Sequence, residues 1–421
     1  MKLSVYPVLL AFIIRFAYLF FFKNFKPELW ELNTMAHNIL SGKGMIYQLW
    51  HIDYYAYYPP VLPYLHAFIY WISAGSMAML GLSILFLSAV SAYLVYNIAQ
   101  ALFSSNKIAF IAGLLYAVHP GLIVYSSKAS GDNFFIFCFL LLACLLIRLD
   151  LNKKKHVLLY GLTLAIAFLS RSVFIIFVPL FILYHVLKYS NVKKTMSSFS
   201  MLFVFFMIFI LPWGVRNQII LKKPVFTVTT SAQNLWLGNN PNSTGTLFDH
   251  HGIAIIDKIP QELKNKLKNN NEIDHWRAFQ ESSKAYIMKY PLRFVGRTLK
   301  KFIYFWSKTP TAGLLYPKTW LHLYLIFYGI ILIFAFFQVV KMCLGYRSCD
   351  RNILIMIGCI FLLHSGIHSI YYVETRHRFA IEAFILILAA PGIQSIISKI
   401  KITWLQPVNG LRMIKNIFTG F

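Results

Sequence analysis

Apolar and polar stretches alternate along this chain on a scale much longer than one helical turn. Apolar runs of the length an α-helix needs to cross a hydrocarbon layer of roughly 30 Å fall at 3–22, 78–101, 107–125, 133–149, 157–172, 173–189, 196–214, 319–340, 352–370 and 379–397. They predict an all-α polytopic membrane protein with about ten transmembrane helices. The first run follows a single Lys2 and lacks a small-residue cleavage site, so it reads as a retained span entering from the cytoplasm. Ser170, Arg171 and Ser172 interrupt one long apolar stretch and predict a reversal there; merging its two halves would invert every later span.

Two segments between spans fall on the same side, 23–76 and 215–317. In the second, Trp276, Phe279, Tyr286, Ile287 and Tyr290 recur at helical spacing. The next stretch interleaves Arg293, Arg297, Lys300 and Lys301 with Phe294, Phe302, Phe305 and Trp306, as in a helix lying in the headgroup plane with snorkelling cations. The expected organisation is an N-terminal transmembrane region (1–214) with a first external loop, an external mixed segment with an interfacial helix (215–317), and C-terminal spans with a basic tail (318–421).

Composition agrees. Of 421 residues, 58% are hydrophobic and 13% charged, against about 45–50% and about 25% in a typical soluble domain, which excludes an ordinary soluble enzyme and a disordered chain. The net charge of +26 could suggest nucleic acid, but its distribution points elsewhere. Alternating the spans puts Lys2, Lys107, Arg148, Lys153, Lys154, Lys155, Lys188, Lys193, Lys194, Lys341, Arg347, Arg351, Lys399, Lys401, Arg412 and Lys415 on one side, with only Asp150 and Asp350 among the acids. That is the positive-inside pattern. It predicts a multi-pass protein of the cell (inner) membrane with cytoplasmic termini and no nucleic-acid partner. The cysteines show no metal-type spacing.

With 14 acidic residues, every one can be placed. Asp249, Asp257, Glu262, Glu272, Asp274 and Glu281 belong to the second external segment, and Glu382 falls inside the last span. Glu28, Glu31, Asp53, Asp132 and Glu374 remain, all in external loops or at outer span ends. Any one of them reads equally well as a solvated loop charge. Their concentration on one face, with Arg376 and Arg378, describes a polar site at the outer membrane surface. Glu31 opens a helix expected over 30–40, where the dipole favours the ionised form, so it is a candidate general base; the plain alternative is an ordinary first-turn acid. Asp132 at the head of a span reads as a helix cap, or as a residue that contacts a sugar or orders Lys128.

Certain motifs resemble a known family. An acid shortly after the first span, then Ala36-His37-Asn38-Ile39-Leu40-Ser41-Gly42-Lys43-Gly44, then Tyr57-Tyr58-Pro59-Pro60-Val61-Leu62-Pro63-Tyr64, resembles the first external loop of GT-C-type membrane glycosyltransferases. These are the relatives of protein O-mannosyltransferases and of the lipid A aminoarabinose transferases. Leu211-Pro212-Trp213-Gly214-Val215-Arg216-Asn217, followed by Asn234-Leu235-Trp236-Leu237-Gly238-Asn239-Asn240-Pro241-Asn242-Ser243-Thr244-Gly245, is similar to the exit from the seventh span in bacterial members. Weaker echoes are His119-Pro120, Leu169-Ser170-Arg171-Ser172, Tyr290-Pro291 and Arg376-His377-Arg378-Phe379. The resemblance implies an enzyme that takes a hexose or pentose from a polyprenyl-phosphate-linked donor and transfers it with inversion to a glycan, lipid or protein on the outer face. It makes the first-loop acid the catalytic carboxylate. Counting back from Ala36, Glu28 matches the aspartate of the aminoarabinose transferases, whereas Glu31 fits a Trp-Glu form, and both stay candidates.

Such chemistry requires a base near the acceptor hydroxyl and positive charge near the departing phosphate. The expected catalytic residues are Glu31, Glu28 and Asp53. Arg376, Arg378 and His377 would bind the donor phosphate, and His51, Tyr58, Asp132 and Lys128 the substrates. No cofactor is implied; a divalent metal held by Asp53 and His51 with Glu28 or Glu31 is a weaker reading, because no compact ligand spacing exists. The rivals are an O-antigen polymerase or ligase, which would not need the first-loop acid, and a transporter or flippase of lipid-linked sugars, which should show an internal repeat.

Overall fold

The computed structural model describes residues 3–268, 271–345 and 349–405. Lys2, Arg347 and the basic tail from 406 onward lie outside the described residues. From the N-terminus, α1 (Val5–Lys23) leads into the first long loop. That loop holds β1 (Glu28–Leu29), α2 (Glu31–Leu40), a hairpin of β2 (Tyr47–Leu49) and β3 (Ile52–Tyr54), and α3 (Val61–Ile72). Next come α4 (Met77–Phe103), α5 (Asn106–Ala117), α6 (Pro120–Tyr125), β4 (Lys128–Ala129), α7 (Asp132–Arg148) and α8 (Lys154–Phe168). A 3-10 turn at Ser172–Ile176 enters α9 (Phe177–Tyr189), and α10 (Val192–Leu221) delivers the chain to the segment over 222–317. There α11 (Thr230–Gly238), α12 (Gln261–Leu267), α13 (Glu272–Lys289) and α14 (Pro291–Trp306) form. The chain continues through α15 (Ala312–Leu315), α16 (Lys318–Cys343), α17 (Arg351–Ile370), a 3-10 turn at Thr375–Arg378 and α18 (Phe379–Leu405).

All ten apolar runs are helical, but their lengths differ. Among the described residues, 7 helical segments are long and apolar enough to cross a membrane: α1, α4, the 172–189 segment, α10, α16, α17 and the 375–399 segment. The other three expected spans are shorter. α7 has 17 residues and α8 has 15, and the third is broken into α5 and α6. The break follows from Pro120, which has no N–H to continue the ladder. His119 restarts it by accepting the Leu122 amide at Nδ1. The carbonyls released at the end of α5 are met by Arg15 from α1, whose guanidinium is fully buried and donates to Ala117 O at 2.9 Å, Tyr116 O at 3.2 Å and Ser88 Oγ at 2.8 Å. In a bilayer no water could do this.

The reversal expected at Ser170–Arg171 is present. The Tyr160 hydroxyl donates to the Phe177 carbonyl and its ring packs 5.3 Å from Phe181, so α8 and α9 run antiparallel. The basic connections therefore gather at one end of the bundle. Arg148 donates to Asn97 O and Gln100 Oε1, Lys188 to Ile147 O and Leu149 O, and the Asp350 amide to Leu102 O.

The segment over 222–317 is stapled to the opposite end. Glu272, buried at the head of α13, accepts from the Tyr55 amide at 2.6 Å, the Ala56 amide at 3.0 Å and Thr229 Oγ1 at 2.5 Å. Burial raises its carboxyl above the usual range against these hydrogen bonds. The residues after Pro212 work alongside it: Trp213 Nε1 donates to Thr227 O, Arg216 to Tyr55 O, and Asn217 to Val225 O. Gly238 closes α11 against the linker before the last helix, where an added Cβ would sit 1.9 Å from Tyr371 O. Lys301, fully buried in α14, donates at this junction to Tyr371 O at 2.6 Å, Ile370 O at 2.9 Å and Asn239 Oδ1 at 3.0 Å.

Replacing Lys301 by Met leaves those acceptors buried and unpaired, at about 1–3 kcal/mol each. The Lys301→Met protein in detergent is expected to melt well below the parent by tryptophan fluorescence. An unchanged melting curve would show that the ammonium does not hold the junction.

Candidate active site

The polar end of the bundle is organised by a short parallel pairing. β1 lies beside β4 with Glu28 opposite Lys128, and the Glu28 amide donates to Ser127 O at 2.9 Å. Lys128 Nζ reaches Glu28 Oε2 at 3.1 Å, and Trp30 Nε1 donates to Glu28 Oε1 at 3.0 Å. Partial burial would raise the Glu28 carboxyl; the ammonium and the indole outweigh it and hold the group below its usual value. The same ammonium sits 5.2 Å from the Tyr125 ring centroid and 6.0 Å from that of Trp30.

Asp132 stands at the centre. Gly131 turns the chain into α7 at φ +75°, where a Cβ would strike Leu62 at 2.6 Å, so only glycine serves here. Asp132 is buried and accepts Ser130 Oγ at 2.7 Å and Arg171 Nη2 at 2.6 Å, with Arg376 Nη1 at 3.5 Å. Arg376 also lies charge to charge with Glu374, Nε to Oε2 at 2.5 Å, although the approach is not aligned as a hydrogen bond. Its guanidinium stacks 4.7 Å from the Trp30 ring centroid. Burial pushes the Glu374 carboxyl above its usual value, and Arg376 opposes that. Among the described residues, Arg171 Nη1 and Arg376 Nη2 make no hydrogen bond to protein.

Glu31, the first residue of α2, lies beside this cluster. Its Oε2 is buried and has no hydrogen-bond partner among the described residues. It lines a cleft of about 470 Å³ with Leu29, Trp30, Asn33, Thr34 and Tyr47. Burial, then the Glu31 charge, pushes the phenols of Tyr47, Tyr57 and Tyr58 upward. Tyr58 also feels Arg171 and Arg376, so it lies within electrostatic reach of the carboxylate and of both guanidinium groups.

Glu31, Glu28, Tyr58, Asp132, Lys128 and Arg376 thus come together; four other expected site residues do not. Arg378 is fully buried among the helices, with Nε on Glu382 at 2.6 Å, Nη1 on the Phe305 and Ser307 carbonyls at 2.6 Å each, and Nη2 on the Tyr324 hydroxyl at 2.5 Å. Glu382 in turn holds His119 at 2.7 Å. That network leaves Arg378 nothing for a phosphate. His377 caps its own turn, with Nδ1 accepting the Glu374 amide, and stacks on His368 at 4.3 Å. Asp53 and His51 are exposed on the β2–β3 hairpin, and neither makes an ion pair among the described residues. No three His, Cys, Asp or Glu side chains among the described residues converge as metal ligands.

Arg171, Glu374 and Trp30 join the site although the expected set lacked them. Arg171 carried a signal, as the only charge in the interruption between two apolar runs. Trp30 carried none beyond its place next to Glu31.

Residues 58–213 match the family of dolichyl-phosphate-mannose-protein mannosyltransferases. No curated protein matches the chain. The oligosaccharyltransferase AglB from Archaeoglobus fulgidus, solved with an inhibitory peptide and a dolichol-phosphate, superposes with a TM-score of 0.53 at 12% identity, over 99% of this chain and 51% of that one. The apo oligosaccharyltransferase of the same organism gives 0.51 at 11% identity, over 99% and 52%. ArnT from Cupriavidus metallidurans, bound to undecaprenyl phosphate, gives 0.42 at 10% identity, over 93% and 77%. This chain spans about half the length of the oligosaccharyltransferases it matches. A mannosyltransferase-family segment thus runs from α3 into α10, and nearly the whole of this chain follows about half of the oligosaccharyltransferase backbone, so the chain shares the membrane fold of those glycosyltransferases.

Proposed function

We propose that this chain transfers a sugar from a polyprenyl-phosphate-linked donor to a hydroxyl of a glycan, lipid or protein at the outer membrane face. One observation carries the reading: Glu31 lines an open cleft, its buried Oε2 has no hydrogen-bond partner among the described residues, and the adjacent Trp30 stacks on Arg376, one of two guanidinium groups that a buried aspartate holds in place. The fold neighbour solved with a dolichol-phosphate supports a phosphate-linked lipid as donor.

In the proposed step the acceptor oxygen attacks the anomeric carbon while Glu31 takes its proton. The bond from that carbon to the phosphate oxygen breaks, and its electron pair leaves with the polyprenyl phosphate. A single displacement of this kind inverts the anomeric centre. Arg171 Nη1 and Arg376 Nη2 meet the phosphate oxygens, where a guanidinium keeps its charge and offers directed donors. Asp132 and Glu374 position those groups, and Glu28 positions Lys128. Tyr58, held as a neutral phenol, donates toward the sugar.

Three experiments test this. In purified protein supplied with radiolabelled polyprenyl-phosphate sugars, Glu31→Gln is expected to lower kcat by about 10²–10⁴. Glu28→Gln should act mainly through Lys128 and cost less. Full loss in Glu28→Gln with an active Glu31→Gln protein would move the base to Glu28. Arg376→Gln should raise the donor KM at least tenfold, by loss of a charge-assisted phosphate contact worth about 1.5–3 kcal/mol; an unchanged KM removes Arg376 from the donor site. Reporter fusions after Lys155 and after Pro260 are expected to report cytoplasmic and external locations respectively, and a cytoplasmic signal at Pro260 would sink the outer-face assignment.

A further inference from the structure

A second cleft lies away from Glu31, between α14 and the turns at 242–258, with a volume of about 510 Å³. Arg293, Arg297 and Lys300 of α14 line it. None of the three meets a carboxylate among the described residues. Arg293 lies over the Tyr290 ring, Arg297 donates to Asn240 O and the Tyr286 hydroxyl, and Lys300 lies over the Tyr304 ring. The one carboxylate in the cleft, Asp249, is already engaged by Lys258 and by the His251 and Ile253 amides. Three like charges thus converge on an open space with no counter-ion in the protein, an arrangement that repels itself unless an anion joins it.

The helix itself indicates which anion. At about 100° per residue, Arg293 and Lys300 share one azimuth, and Leu292, Leu299 and Ile303 share another about a quarter-turn away. Those three apolar side chains are exposed, Leu292 at 86%, so this flank offers hydrocarbon contact directly beside the cations. Gly296 lies between the two rows and lines the cleft. A Cβ there would meet nothing within 4 Å. A mid-helix glycine is unfavourable relative to alanine, and no protein neighbour requires this one.

We propose that this cleft binds the phosphate of an anionic phospholipid headgroup, with the acyl chains lying along the Leu292–Leu299–Ile303 flank and the bare backbone at Gly296 admitting the headgroup. The ligand is distinct from the sugar donor, and nothing in the argument rests on sugar transfer. The salt-screened charges hold the headgroup, and the apolar row separates a lipid from a free anion.

The full chain, purified in a neutral maltoside detergent, is titrated by calorimetry with dioctanoyl phosphatidylglycerol, dioctanoyl phosphatidylcholine and inorganic phosphate. Phosphatidylglycerol is expected to bind at least tenfold more tightly than either of the others. The Arg293→Gln/Lys300→Gln protein should lose about tenfold in that affinity. Gly296→Leu, whose side chain enters open space, should melt no lower than the parent yet bind phosphatidylglycerol at least fivefold more weakly. Equal binding of the two lipids would reduce the site to tail contact, and phosphate binding as tightly as phosphatidylglycerol would make it a free-anion site. Either result, or unaltered affinity in both variants, overturns the proposal.

Discussion

The carboxylate of Asp132, shared between Arg171 and Arg376, is the interaction on which the polar end of this protein depends. Its two partners come from opposite sides of the bundle, one from the reversal between α8 and α9 and the other from the turn before α18. Removing two guanidinium groups from water is expensive, and only a buried counter-charge with further hydrogen bonds makes it tolerable. Asp132 provides that, with Ser130 completing its shell and Glu374 taking the far edge of Arg376. The ion cluster thereby ties three chain reversals to one point, and the site's geometry is inherited from it.

Around this centre the molecule uses a recurring device, in which a buried polar side chain collects backbone groups that a helix end or break leaves unpaired. Arg15 does so where Pro120 interrupts a helix, Glu272 where the first loop meets α13, and Lys301 where α11 abuts the linker into the last helix. The Trp213–Asn217 and Gly238–Asn240 stretches that resemble a family signature belong to this class. They touch Tyr55, Val225, Thr227 and Tyr371 rather than the reacting groups, so their role is to hold the first loop and the linker at fixed positions.

Most of the architecture was legible in the sequence because it rests on long apolar runs, a signal that needs no tertiary information. The runs at 133–149 and 157–172 correspond to α7 and α8 within a few residues, whereas the run at 107–125 is two helices, since a proline break is a local feature that a hydropathy reading averages away. The site was legible only in outline. Glu28, Glu31, Asp132 and Arg376 stood out because acids are scarce and their loops share a face. Arg378 was misjudged for a reason of periodicity: two residues along a 3-10 turn, at about 3.0 residues per turn, swing the side chain by about a third of a circle, so Arg376 faces the site while Arg378 faces the helix core. Glu374 stood among the same acids without a role of its own, and Trp30 could not be found this way, because a cation stacked on an indole joins residues from opposite ends of the chain.

That stacked indole has a mechanical meaning. Trp30 precedes Glu31 by one residue, bonds Glu28 through its nitrogen and lies against Arg376 with its face. Glu28 and Arg376 are thus gauged from a single rigid ring one residue before Glu31, and neither can drift without the other. The remaining wall of the cleft is formed by Asn33, Thr34 and Tyr47. Substitutions along that wall change the shape and polarity of the cleft while the spacing set by the indole stays the same.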